Sequence, residues 1–177
     1  MNAMFSRRIV PMISKGRLAK GVLVGVALVA GISAGRAWGT PGSGSQSTLL
    51  GRATFDDPIY VRRVGEDNWK VAVKAKPALD VAVQSIVFQP GGQSGWHSHP
   101  GPVFISVVAG EMTFYESDDP DCEPIVRRAG EGYLDTGEHA HIARNETTEP
   151  ATNVVTYFAP PGAALRIDQP DPGNCSF

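Results

Sequence analysis

The chain has 177 residues, 42% of them hydrophobic, and its 20 glycines and 14 prolines are spread along it rather than gathered into repeats. That composition fits one folded domain and excludes a disordered or collagen-like chain. The net charge of −2 conceals an asymmetry: Arg7, Arg8, Lys15, Arg17, Lys20 and Arg36 all precede the first acidic residue, Asp56, so the chain beyond Ala37 carries 10 basic against 18 acidic residues, a net of −8. A body that acidic repels nucleic-acid phosphates and anionic membrane surfaces, so a nucleic-acid partner is excluded.

The basic start runs into the apolar stretch Val22–Ile32, followed by the small residues Ala34-Gly-Arg-Ala37. A charged beginning, a short apolar run and a small-residue site describe an export signal over residues 1–38. The alternative is an uncleaved membrane anchor, although the run is shorter than the roughly 18–20 residues that span a bilayer. Either way the body is expected outside the cytoplasm, and a membrane is a partner only in the anchored case. Thr40-Pro-Gly-Ser-Gly-Ser-Gln-Ser47 reads as a flexible tether, giving a linker over 39–58.

Beyond it the chain reads as short strands. These are Tyr60–Arg63, Trp69–Lys74, Val81–Phe88, Val103–Ala109, Met112–Glu116, Ile125–Arg128, Gly132–Asp135, His139–Arg144, Asn153–Phe158 and Ala164–Ile167. They are rich in β-branched and aromatic residues, and turn signals such as Gln89-Pro-Gly-Gly92 separate them. No stretch keeps a helical apolar period, so the fold is all-β, a sandwich, jelly roll or barrel. The two cysteines, Cys122 in an acidic loop and Cys175 near the end, lie far from any histidine, and an oxidising compartment favours a disulfide between them.

All four histidines fall into two pairs, His97-Ser-His99 and His139-Ala-His141. Residues i and i+2 of a strand share a face, so each pair presents two imidazoles to one side. Three or four converging imidazoles suit a divalent transition metal: iron, zinc, manganese, nickel or copper.

The spacing around these pairs resembles that of the cupin superfamily. Gly91, five residues, His97-Ser-His99, three residues, Val103, six residues and Gly110 follow the first cupin motif, with Val103 where the family carries glutamate. Gly130, Thr136-Gly137-Glu138, His141 and Asn145 follow the second, with Thr136 for proline and Glu138 for glycine. The resemblance implies a single-domain double-stranded β-helix, a jelly-roll barrel, over residues 59–168, with 169–177 as a tail. It also implies one metal held by His97, His99 and His141. His139, which shares a strand face with His141, is a fourth nitrogen, or a residue behind the ligands that binds substrate or water, or one that simply lines the mouth. With valine at 103, three neutral imidazoles leave the ion its full +2 charge, which favours an anionic or chelating ligand.

Asp135 reads as a turn residue, Glu138 as solvated, and Trp96 as either a pocket wall or, more in keeping with its apolar bulk, a core residue. Tyr115 and Tyr157 reach the interior on strand phase alone. Gly95 and Gly101 either hold the mouth open or are ordinary turn glycines, and the sequon at Asn145 is coincidental to its place in the motif. The function expected is that of a metal-dependent oxygenase-type enzyme acting on a small molecule, similar to the thiol and diketone dioxygenases of this superfamily. The alternative is a non-catalytic protein that binds a metal or small ligand. A homodimer is compatible with either.

Overall fold

The computed structural model describes residues 39–67, 69–76 and 78–177, so the export segment expected over 1–38 lies outside the described residues. Among the described residues there is no α-helix. Twelve strands form: β1 (Ser43–Phe55), β2 (Ile59–Val64), β3 (Lys70–Ala75), β4 (Leu79–Gln93), β5 (His97–Ser98), β6 (Val103–Ala109), β7 (Glu111–Glu116), β8 (Ile125–Arg128), β9 (Gly132–Asp135), β10 (His141–Arg144), β11 (Ala151–Ala159) and β12 (Ile167–Asp168).

Ten of these form one antiparallel sheet folded into two layers, β1-β4-β11-β6-β9 and β8-β7-β10-β5-β12. The layers meet where Arg144 of β10 pairs with Gln93 of β4. This is a jelly-roll barrel, as the patterning suggested. Alternation decides which side chains enter it. Val103, Ile105 and Val107 of β6 are buried while Phe104 and Ser106 are not, and β11 buries every second residue from Ala151 to Ala159. The core includes Phe88, Met112, Phe114 and Tyr133, the last two stacked with ring centroids 4.2 Å apart. Each such side chain, fully buried, stabilises the fold by about 1.5–3 kcal/mol.

A second cluster lies on the other face of β10. Trp96, Tyr115 and Ile142 pack there against Cys122 and Cys175, which are joined in a disulfide with Cα atoms 5.4 Å apart. The tail is therefore part of the folded body. The Asn174 side-chain amide donates to the Glu116 and Asp119 carbonyls, and Phe177 lies against Tyr115 and under the Arg144 guanidinium.

Three expectations need correction. The linker of 39–58 is largely strand β1, which pairs with β4 from Ser43↔Gln93 to Phe55↔Leu79. Its side chains are exposed, and the pairing uses backbone groups that serine and glycine supply as well as any residue. The Gln89–Gly92 stretch does not end a strand. β4 runs through it to Gln93, while Gly91 donates its N–H to the Asn145 carbonyl and Asn145 returns one to Gly92. Finally, β2 and β3 pair only with each other, so the barrel sheet is built from β1 and from β4 onward rather than from residue 59.

Candidate metal centre

The centre is built by two strands that pair side by side. His97 of β5 and His141 of β10 are register partners, and His99 follows two residues after His97. All three rings are buried, with centroids 4.4–5.2 Å apart, and one ligating nitrogen of each lies within 4.8 Å of the others.

Two of the rings are held from behind. Nδ1 of His97 is 2.9 Å from the Gly95 carbonyl oxygen, and Nδ1 of His99 is 2.5 Å from that of Leu165. A carbonyl can only accept, so both Nδ1 atoms carry the proton and both Nε2 lone pairs are free. Nδ1 of His141 lies 2.8 Å from Oδ2 of Asp135. The two atoms are close but not aligned, and both are buried without a formed hydrogen bond.

Burial, then the neighbouring His141 and His99, then Arg166, hold His97 well below the ordinary histidine range, against a smaller upward pull from the Gly95 carbonyl. Burial and His141 bring His99 to about 4, against upward pulls from Leu165 and Asp135. Both rings are therefore neutral at pH 7. Two free lone pairs on neutral imidazoles, beside a third imidazole with an unpaired buried nitrogen, fit a divalent transition metal.

His139 stands apart from this cluster. It lies in the bend before β10 rather than on the strand, its side chain is half exposed, and its Nε2 is 3.5 Å from Asp118 Oδ2. The structure does not bring it to the other three. Trp96 is in the second cluster rather than on the cavity wall. Asn145 is buried: its amide donates to the Phe88 and Glu149 carbonyls, and its Oδ1 accepts from the N–H and hydroxyl of Thr147. Its role is to lock the turn after β10.

Asp135 is the residue whose part was understated in sequence. It does serve the turn, because Oδ1 accepts the Gly137 N–H at 2.6 Å. Gly137 has φ +82 and so makes the turn that the family motif assigns to the position now held by Glu138. The other carboxylate oxygen, however, faces His141 and stands 3.6 Å from Nε2 of His99. Burial pushes this carboxyl up, but contact with His141, the Gly137 N–H and the nearness of His99 outweigh it and leave it below its ordinary value. The signal available in sequence was the strand phase of Gly132–Asp135, which puts Asp135 on the same side as the core residue Tyr133.

A cavity of about 300 Å³ opens onto His97 and His99. Its wall includes Ser45 and Ser47 of β1, Gln84 of β4, Tyr157 of β11, and Leu165 and Arg166 of the segment before β12. Tyr157 donates its hydroxyl to Gln84 Oε1 at 2.9 Å, and its ring lies 5.4 Å from that of His99. Burial raises its phenol to about 12, so it is a neutral donor at ordinary pH. Arg166 is partly engaged by Asp168, with Nε to Oδ1 at 2.5 Å. A larger, apolar groove of about 520 Å³ lies between β3 and the Pro100–Phe104 and Phe158–Pro161 segments, away from the histidines.

Residues 84–157 match the Cupin domain family. No curated protein matches the chain. Among solved structures it is similar to an uncharacterized conserved protein with a double-stranded beta-helix domain from Klebsiella pneumoniae, at 20% identity over 63% of this chain and 84% of that one, TM-score 0.43. It is similar also to the polyketide cyclase RemF from Streptomyces resistomycificus, at 12% identity over 76% and 79% of the two chains, TM-score 0.49. A third likeness is to oxalate decarboxylase from Lactobacillus farciminis, at 20% identity over 50% and 26%, TM-score 0.43. The matched segment runs from Gln84 in β4 to Tyr157 in β11 and contains all three converging histidines; over this segment the chain carries a Cupin domain.

Proposed function

We propose that this chain is an exported metal-dependent enzyme of the oxygenase type, with His97, His99 and His141 as ligands of one divalent transition metal and a small molecule as substrate. The observation that carries the reading is the convergence of three buried imidazoles, two of which, His97 and His99, are neutral with free Nε2 atoms and line a cavity large enough for a small ligand. A divalent ion held by His97, His99 and His141 would supply Lewis-acid chemistry to a bound small molecule.

The chain's own residues do the rest. The Gly95 and Leu165 carbonyls fix the tautomers of His97 and His99 and keep both rings from turning. Tyr157, held by Gln84, keeps its proton and presents a neutral hydroxyl on the cavity wall. Ile86, Phe88 and Leu165 give the cavity an apolar side that limits water around a bound molecule. The Cys122–Cys175 disulfide supports a place outside the reducing cytoplasm.

One observation favours a second reading, a non-catalytic protein that captures a metal or a small ligand. No carboxylate lines the described cavity, so apart from the histidines no side chain there is set to accept a proton at neutral pH. Dioxygen uptake by protein reconstituted with Fe(II), Mn(II), Ni(II) or Cu(II), over a panel of small thiols and diketones, separates the two. Turnover that disappears in His99→Ala supports the enzyme. Tight binding of a panel member with no uptake for any metal supports the binding protein.

A further inference from the structure

Among the described residues two carboxylates are buried, Asp80 and Asp135, each under 5% exposed. They are treated very differently. Asp80 has a permanent cation: Arg52 Nε donates to Oδ2 at 2.6 Å, joined by the Thr54 hydroxyl at 2.6 Å and the Gly162 N–H at 2.9 Å. Asp135 has no lysine or arginine among the described residues within 4 Å. Its ionic neighbours are His141 and His99, and Oδ2 is left without an aligned hydrogen bond. Removing a carboxylate from water without a compensating charge costs several kcal/mol, so such a group is costly to the metal-free protein unless a positive charge arrives beside it.

The position of Asp135 is specific. It is the register partner of Val103 across β6 and β9, and both residues are buried on the interior face. Register partners in an antiparallel pair project to the same side with Cβ atoms about 4.5–5.5 Å apart. The carboxylate that Val103 does not provide is thus present one strand away, against the histidine cluster.

We infer that Asp135 is the built-in counter-charge of the metal centre, a positioning residue that balances the ion through His141, beside the free Nε2 of His99, and takes over the electrostatic part of an acidic residue at 103. The inference rests on the three histidines holding a metal. It means that the centre is not purely neutral. A carboxylate behind an imidazole raises that ring's basicity as a ligand and offsets the ion's charge without occupying a coordination position, so the side toward the cavity stays open to substrate.

The test is a charge relocation across the register pair, read by chelator competition for Zn(II) and Co(II) with folding followed by thermal melts. Asp135→Asn keeps an oxygen for the Gly137 N–H, so the turn is preserved while the charge is lost. Its metal affinity should fall about 10–100-fold, the usual effect of losing a residue behind a ligand. Val103→Glu in the Asp135→Asn background should regain most of that loss. Val103→Glu alone should gain much less than it does in that background, because the new carboxylate meets Asp135 across the pair. A role confined to the turn would not be rescued by a charge on the neighbouring strand. Asp135→Asn binding both metals as tightly as the unaltered chain overturns the inference, and so does a folded double variant that regains nothing. If the unaltered chain binds neither metal, the reading of the histidines fails instead.

Discussion

Leu165 and His99 are bound to each other across 66 residues of sequence: the Leu165 carbonyl oxygen takes the Nδ1 proton of His99 at 2.5 Å. This bond makes the segment before β12 part of the centre, and the same segment supplies Leu165 and Arg166 to the cavity wall. His97 is held in the same way by the Gly95 carbonyl, two residues before it. Backbone oxygens rather than side chains thus set two of the three tautomers, and perturbing the backbone behind a ligand should disturb metal binding as a ligand mutation would.

Gly95→Ala is the clearest such perturbation. Gly95 has φ +70, and a Cβ there would lie 2.1 Å from the Thr40 carbonyl oxygen, which is backbone and cannot swing away. Conformational strain alone costs about 1 kcal/mol, and the overlap adds to it. The melting temperature and the metal affinity should both fall, because the carbonyl behind His97 must move. An unchanged melting temperature with unchanged metal binding would show that the Thr40–Gly95 contact does not matter to the centre.

Protonation gives a second prediction. His99 titrates near 4 in the folded chain and near 6.5 in the unfolded one. Between those values the unfolded state binds more protons, so the stability of the metal-free protein should be full above about pH 6.5 and decline as pH falls toward 4. For His99 alone the loss between pH 7 and pH 5 is about 2 kcal/mol, and His97, shifted the same way, adds to it. Asp135 is shifted downward, so its contribution is lost only at still lower pH. Urea titrations of metal-free protein at pH 7, 6 and 5 check the sign. Stability that rises on acidification would contradict the buried, neutral histidines.

The disulfide closes a loop across a sequence separation of 53. In the chain-entropy picture that cross-link stabilises the fold by about 4 kcal/mol, and measured values are often smaller. Cys175→Ser should lower the denaturation midpoint. It should also speed hydrogen exchange at Trp96 and Ile142, whose cluster the bridge covers. The barrel amides of β6 and β11 should be affected only through global stability. Unchanged exchange around Trp96 would separate the tail from the stability of that cluster.

Much of this was legible in the sequence, because it rested on alternation and spacing. The inward phase of Val103–Ala109 and Asn153–Phe158 follows from which residues share a strand face, and the trio of His97, His99 and His141 is the set that the resemblance to the cupin motifs implied. The parts that were not legible turn on backbone pairing that side chains do not advertise. The strand character of Ser43–Phe55 rests on hydrogen bonds to β4, and its serines and glycines look the same in a tether. His139 reads as a strand residue by phase, but the chain bends at Gly137–His139 and only His141 enters β10. Asp135 fills a turn position and a buried position at once, and only the first is announced by the neighbouring Thr-Gly pair.

The measurement that bears most directly on the account is metal content of the protein purified from its own host, compared with its single His→Ala variants. About one transition-metal ion per chain is expected in the unaltered protein, with sharp loss in His97→Ala, His99→Ala and His141→Ala. His139→Ala should keep its metal, since that ring is half exposed beside Asp118. A chain purified without any transition metal that also binds none when supplied, or a His141→Ala variant that keeps a full equivalent, would contradict the centre described here.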